Sequence, residues 1–246
     1  MSRKEFDDSY WKLLSVIAPG LKYSQSIYEE VLRQHSALAA KWLDLGCGHK
    51  LLPVWRAKEE KNLIGNSEFI VGIDYDYLSL ASYTNMKNKC RGDIAELPFY
   101  DNTFDLVTSN MVFEHLDKPE KQLREISRVL IKGGKLIFHT PNILSYATLI
   151  ATAVPKSLKT RLVRILQGRK EEDVFSTYYK VNSVSQIRKL AKLCNFRIIQ
   201  TRLICSSPEL AICLPLAFIE VIWIRFLMSK FGRPLRNNII AILEKV

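Results

Sequence analysis

Between residues 41 and 142 short apolar runs alternate with helix-like stretches, and most runs end in glycine, aspartate or asparagine. The runs are Lys41–Leu45, Glu68–Asp74, a weaker one at Lys89–Arg91, Phe104–Ser109 and Lys135–His139. Between them, Tyr77–Lys87 and Pro119–Leu130 have helical spacing, the second with Leu123, Ile126, Val129 and Leu130 on one face. Strands of this length separated by amphipathic helices predict an α/β fold with a mainly parallel sheet and helices on both faces. In such sheets ligands settle beyond the carboxyl ends of the strands. Here those ends carry Gly46-Cys47-Gly48, Asp74, Asp93 and Asn110.

The flanks read differently. Residues 9–37 predict two helices broken at Pro19-Gly20. After Thr140-Pro141-Asn142 the alternation stops. A basic, lid-like insertion over about 143–180 includes Lys156, Lys159, Arg161, Arg164, Arg169 and Lys170. Ser183–Leu193 predicts a helix with a serine cap, and Phe196–Ile204 a sixth strand. The expected organisation is a helical cap over 1–40, a core over 41–204 and an apolar helical C-terminal extension over 205–246. That tail offers no evident seventh strand.

Charge divides the chain too. Lys plus Arg is 36 and Asp plus Glu is 25, a net of +11. Residues 1–150 hold 19 of each sign, while 151–246 hold 17 basic and 6 acidic side chains. A field of one sign over the last two fifths suits an anionic partner, or solvated helix faces. Leu210–Met228 is apolar enough to need a membrane test, but Pro215, Glu220 and Arg225 interrupt it. Two charges within a span are costly. The expectation is a helix packed on the core, on a second subunit of a homodimer, or lying on a membrane through the basic and apolar segment 151–230. Five cysteines, at 47, 90, 194, 205 and 213, show no zinc or redox spacing. With no apolar segment in MSRKEFDDSY, reduced thiols in the cytoplasm, with contact to the inner face of a membrane, are the expectation.

The loop Asp44-Leu-Gly-Cys-Gly48 lets the backbone turn sharply and approach a ligand. It is not a dinucleotide fingerprint, because Leu51 stands where a third glycine would fall. Asp74 can accept both hydroxyl protons of a ribose. Asp93 can accept from an adenine amino group, and the Asn110 amide can meet an amino acid's ammonium or carboxylate. Singly, each also serves as a cap or turn former. Four of them in order at successive strand ends point to a cofactor crevice.

Lys41–Gly48 (KWLDLGCG), Val71–Asp76 (VGIDYD), Gly92–Phe99 (GDIAELPF) and Phe104–Asn142, with EHL and RVL..GG....TPN inside it, resemble the class I S-adenosylmethionine-dependent methyltransferases. The similarity is nearest to the quinone-biosynthesis-type (methyltransferase type 11) branch and covers about 100 residues. The resemblance implies a Rossmann-like sheet of seven strands with the last reversed, and S-adenosylmethionine as cofactor. It places Asp44, Gly46 and Gly48 along the methionine part, with Cys47 in the same loop. Asp74 takes the ribose hydroxyls, with Tyr75 beside it. Asp93 and Ile94 border the adenine, and Asn110 and Met111 lie on the substrate side. Three segments depart from the pattern: the long excursion His49–Glu68 with its charged middle Lys58-Glu-Glu-Lys61, the insertion 143–180, and the tail from 205.

Methyl transfer from a sulfonium needs a general base only when the acceptor loses a proton. The candidates are His115, in Glu114-His115-Leu116, and His139. Glu114 itself reads as a helix-start or packing residue. No [DN]-P-P-[YFW] follows the fourth strand, which ends Ser109-Asn-Met-Val112, so base amino groups of nucleic acid are not the expected acceptor. No acidic cluster suggests a metal. A small-molecule or lipid-linked, amphiphilic acceptor methylated on oxygen or carbon is expected, with Phe175-Ser-Thr-Tyr-Tyr179 near the mouth. The alternatives are a non-catalytic binding protein of this fold and an RNA methyltransferase.

Overall fold

A computed structural model describes residues 3–153, 176–205 and 214–246. The basic stretch Lys156–Lys170, residue Phe175 and the start of the apolar run, 210–213, lie outside the described residues.

The strands are β1 (Lys41–Leu45), β2 (Phe69–Asp74), β3 (Lys89–Arg91), β4 (Phe104–Asn110), β5 (Leu130–Pro141), β6 (Phe196–Ile204) and β7 (Asn238–Lys245). They form one sheet in the order β3-β2-β1-β4-β5-β7-β6. β1 pairs in parallel with both β2 and β4, β2 with β3, and β4 with β5. β1 is buried after its first residue and β2 from Ile70 to Ile73, on both faces, which is why they read as continuous apolar runs rather than alternating ones. The helices are α1 (Arg3–Ile17), α2 (Ser24–Ser36), α3 (Ala57–Gly65), α4 (Tyr77–Ser82), α5 (Pro119–Val129), α6 (Tyr146–Ala153), α7 (Val184–Leu193) and α8 (Leu214–Met228).

The chain forms two compact units. The first comprises Tyr28–Thr140, Phe175–Arg202 and Ile239–Val246 and contains the sheet. Its helices follow local rules. α5 starts with Pro119, has Glu120 in its first turn and Arg128 in its last, and buries Leu123, Ile126 and Val129. Arg128 then ties down the loop after β3, donating to the carbonyls of Leu97 (2.9 Å) and Phe99 (2.8 Å) and to Asp101 (2.7 Å). α4 is capped by Asp76, whose carboxylate accepts from the amides of Leu78 (3.0 Å) and Ser79 (3.3 Å). It ends at Ser82, five residues before the sequence suggests. Tyr83 is extended and buries its ring, and its hydroxyl accepts from the Leu51 amide at 2.9 Å.

The excursion 49–68 is a folded part of the sheet unit. It carries α3, and Glu60 of the charged run is buried, accepting from the Leu52 amide (2.7 Å) and Asn85 Nδ2 (2.8 Å). Arg56 grips Glu29 of α2 with two bonds of 2.7 and 3.0 Å.

The second unit comprises Met1–Ile27, Pro141–Val174 and Leu203–Asn238. Its core packs Tyr10, Leu14 and Ala18 of the N-terminal segment against Ala217, Val221 and Ile224 of α8. Asn142 closes its loop by donating from its amide nitrogen to the carbonyls of Pro234 (2.9 Å) and Arg236 (2.7 Å).

The tail departs from a wholly helical extension. α8 ends at Met228, and Asn238–Lys245 is the seventh strand of the sheet. Its first six residues, Asn-Ile-Ile-Ala-Ile-Leu, are all buried. A run without alternation cannot be told from a buried helix by periodicity. The grouping of residues differs as well: the expected cap divides inside α2, and α6 belongs with α1 and α8.

Candidate functional site

At the carboxyl ends of β1, β2 and β4 the sheet unit holds a cavity of about 720 Å³. Gly46, Gly48, Asp74, Tyr75, Asp93, Ile94, Asn110 and Met111 all line it, so eight positions proposed from the sequence converge on one hollow. His115 lines it too.

The loop after β1 is bolted to the end of β2. The amides of Gly46 and Cys47 both donate to the Ile73 carbonyl, at 2.8 and 3.1 Å. Gly46 has φ +63° and Gly48 φ +51°, which glycine adopts without a Cβ penalty. A Cβ on Gly46 would stand 2.4 Å from Val112 Cγ2, so no side chain fits there. The Gly48 amide donates to Asp74 Oδ2 at 2.7 Å, and the Asp76 amide to Asp74 Oδ1 at 2.8 Å. A carboxylate accepts about four hydrogen bonds. Two from the backbone orient Asp74 and leave capacity for two hydroxyls. Asp93 is held likewise, Oδ1 accepting from the Ala95 amide at 2.8 Å. Met111 occupies the left-handed region at φ +56°, fixed by its amide N–H, which donates to the His139 carbonyl at 2.8 Å. A bulky residue in that region is strained, and such strain is characteristic of ligand sites.

Three proposed residues are not on the hollow. Asp44 is buried behind the loop, where Thr108 Oγ1 donates to its Oδ1 at 2.6 Å and itself accepts from Trp42 Nε1 at 2.7 Å. Burial pushes the Asp44 carboxyl up to about 7, against the hydrogen bond from Thr108 and with the help of Asp74 and Glu60. Cys47 is also buried, its sulfur lying where a Cβ on Gly72 would come within 2.6 Å. Burial, with Asp44 and Asp74 nearby, raises its thiol well above the usual range, so it is a packing residue. His139 is fully buried, stacked on Tyr28 with ring centroids 5.4 Å apart. Its Nδ1 lies 2.9 Å from Asn110 Oδ1, an atom that can only accept, so Nδ1 carries the hydrogen. Burial pulls the imidazole down to about 3, and Nε2 has no partner among the described residues. A ring buried off the cavity cannot serve an acceptor as base; it orients Asn110.

His115 differs. It sits in a single 3₁₀ turn, Phe113–His115, with Nδ1 2.8 Å from the Ser176 carbonyl. Nδ1 is therefore a donor and Nε2 the basic nitrogen. Nε2 is 3.9 Å from Glu114 Oε1. Glu114 is buried; burial pushes its carboxyl up while His115 holds it down. Its Oε2 accepts from Thr140 Oγ1 (3.1 Å), which accepts from Asn182 Nδ2 (2.8 Å). The Glu114 carbonyl accepts the amides of Tyr178 (2.7 Å) and Tyr179 (3.2 Å). The turn thus anchors the chain from Ser176 onward at the cavity, and Ser176 and Tyr178 join the lining.

Sequence reasoning missed Asp76, Asp117 and Val112 on the wall. Asp76 had a signal, an aspartate heading the helical run Tyr77–Ser82. Asp117 had none, since nothing local marks a loop residue turned inward. The lining carries four aspartates, 74, 76, 93 and 117, and no lysine or arginine among the described residues. That wall favours a cationic ligand and disfavours a pyrophosphate.

Residues 43–138 match the family model of a methyltransferase domain. Demethylmenaquinone methyltransferase of Mycobacterium tuberculosis is 32% identical over 132 residues, 51% of this chain and 55% of that protein. Malonyl-[acyl-carrier protein] O-methyltransferase of Buchnera aphidicola is 33% identical over 99 residues, 40% of this chain and 38% of that protein. A SAM-dependent methyltransferase from Archaeoglobus fulgidus shares the fold at TM-score 0.55 and 17% identity, over 90% of this chain and 95% of that one. Residues 43–138 are a methyltransferase domain of class I architecture.

The cofactor of such a domain is S-adenosylmethionine, and the methyltransferase lining fits it. The Gly46 cradle admits only bare backbone, Asp74 keeps acceptor capacity beyond its two backbone amides, and four aspartates on the wall suit a ligand that would carry a positive charge. The chain covers less than two thirds of the length of either relative above.

Proposed function

We propose that this protein transfers the methyl group of S-adenosylmethionine to oxygen or carbon of a small-molecule or lipid-linked acceptor, and that His115 is the base. The observation that carries the reading is the imidazole on the cavity wall with Nδ1 spent on the Ser176 carbonyl and Nε2 beside a buried carboxylate. The bound cofactor supplies a methyl group activated for in-line displacement by its neutral thioether leaving group. The chain's own residues align and shield. Gly46 and Gly48 would line the methionine part of the cofactor and Asp74 would take the ribose hydroxyls, with Met111 and Asn110 bordering the acceptor side. His115 Nε2 takes the proton that a hydroxyl or acidic carbon must lose. Glu114 Oε1 lies 3.9 Å from that nitrogen. The acceptors named in the two relatives, a demethylmenaquinone and a malonyl carrier protein, support an acceptor other than nucleic acid.

The test incubates the protein with methyl-labelled S-adenosylmethionine and either a small-molecule extract or total RNA. Label is expected in the organic-extractable fraction. His115→Gln should lower kcat by about a hundredfold or more while cofactor affinity stays within about twofold. Label in RNA, or full turnover by His115→Gln, contradicts the proposal. Cofactor binding without transfer to either pool would mark a binding protein of this fold instead.

A further inference from the structure

Helix α8 (Leu214–Met228) is apolar on both sides, and among the described residues only one side is buried. Ala217, Glu220, Val221, Ile224 and Leu227 are buried. Opposite them Phe218, Ile219, Ile222 and Phe226 are exposed, Ile219 to 63%. At 3.6 residues per turn these four cover an arc of about 100°. Glu220, the one acid in the helix, is turned inward and accepts from the Tyr146 hydroxyl. Arg225 is exposed at the edge of the apolar arc, and Lys230 and Arg233 are exposed just beyond the helix, with Phe231 between them 89% exposed. Every exposed charge from 215 to 236 is therefore positive.

The surface is also built rather than frayed. Arg236 donates to the carbonyls of Leu227 (2.8 Å), Met228 (3.1 Å) and Leu203 (3.0 Å), capping the helix. A Cβ on Gly232 would stand 2.3 Å from the Phe226 carbonyl oxygen, so the turn carrying Lys230 and Phe231 closes directly on the helix end.

We propose that this face docks on an anionic lipid membrane, with α8 lying flat in the interface. Fifteen residues rise about 22 Å, short of the roughly 30 Å hydrocarbon core. No helix among the described residues is long and apolar enough to cross a membrane. An inward acid, an outward apolar arc and cations at its border are what an interfacial helix needs. The excess of 17 basic over 6 acidic side chains in residues 151–246 adds attraction toward the same sign of surface. A second copy is the poorer occupant, because a two-fold contact would set Arg225, Lys230 and Arg233 against their own kind. This docking does not depend on the methyl acceptor or on turnover.

The test is flotation of the full chain with phosphatidylcholine vesicles, with and without phosphatidylglycerol, at low and raised salt. Binding is expected only to the anionic vesicles and should fall with salt. It should drop about tenfold or more in Ile219→Asp/Ile222→Asp and in Arg225→Glu/Lys230→Glu/Arg233→Glu. Neither variant touches the cavity, so both should keep wild-type S-adenosylmethionine affinity by calorimetry, which shows that the methyltransferase domain is intact. Failure of the wild type to float, or equal flotation of the variants, overturns the proposal. So does a dimer in sedimentation velocity that Ile219→Asp/Ile222→Asp dissolves while vesicles are ignored.

Discussion

In the sheet unit the informative residues are few, polar and placed at strand ends; in the helical unit they are many, apolar and interchangeable. Asp74 is held by two backbone amides and Gly46 admits no side chain, so each position accepts one residue type. The contact of α1 with α8 rests on Tyr10, Leu14, Ala217, Val221 and Ile224, where area and volume matter more than identity. A site that must present fixed donors and acceptors to a ligand is written into the sequence letter by letter. A packing face, or a face meant for lipid, is written only as composition.

Substitutions on the two sides of α8 test that contrast. Val221→Asp puts a carboxylate among Tyr10, Leu14 and Ile224 at a fully buried position and should cost the helical unit more than about 4 kcal/mol. Thermal unfolding followed by circular dichroism should show the loss, while a variant as stable as wild type would remove the packing assigned to α8.

The sheet unit has its own signature in acid. The unfolded His139 imidazole takes its proton near 6.5 and the folded one only near 3. Between those values the unfolded chain binds more protons, so stability falls as pH drops through that window and is unaffected above it. The shift is worth roughly 5 kcal/mol. Asp44 works oppositely, its folded carboxyl raised from 3.8 to about 7, so its contribution weakens as pH rises across that range. The difference between wild type and His139→Gln in urea midpoint, measured from pH 7 to pH 4, isolates the histidine. The wild type should lose more stability toward acid, and parallel curves would contradict a buried neutral His139.

The smallest effect is expected one residue from the largest. Ile222→Asp lies on the exposed arc and should change stability by less than about 0.5 kcal/mol. A large loss there would mean that the arc is already covered.

Much of the sheet was legible because its strands are short, buried and separated by helices with clear faces. β3 (Lys89–Arg91) and β6 (Phe196–Ile204) have the boundaries expected from sequence, and Ser183 caps α7 as expected, its hydroxyl accepting from the Gln186 amide at 3.2 Å. The crevice was legible for the same reason that it constrains the chain: glycine and aspartate at a strand end have few other uses. What stayed hidden required knowing depth. Asp44, Cys47 and His139 are close in sequence to lining residues, yet alternate side chains of a strand point to opposite faces and the loop turns Cys47 inward. Tyr83 ends α4 through a hydroxyl that reaches Leu51, thirty-two residues away in sequence. Ile239–Leu243 concealed a strand in unbroken apolar residues.

Every role proposed for the sheet unit requires one adenosyl cofactor where β1, β2 and β4 end. Calorimetric titration of S-adenosylmethionine, S-adenosylhomocysteine and NAD into wild type and Asp74→Ala tests it most directly. The wild type should bind the first two and not NAD, and Asp74→Ala should weaken both by about a hundredfold. Unchanged affinity in Asp74→Ala, or NAD binding as tightly as the sulfonium, would contradict it.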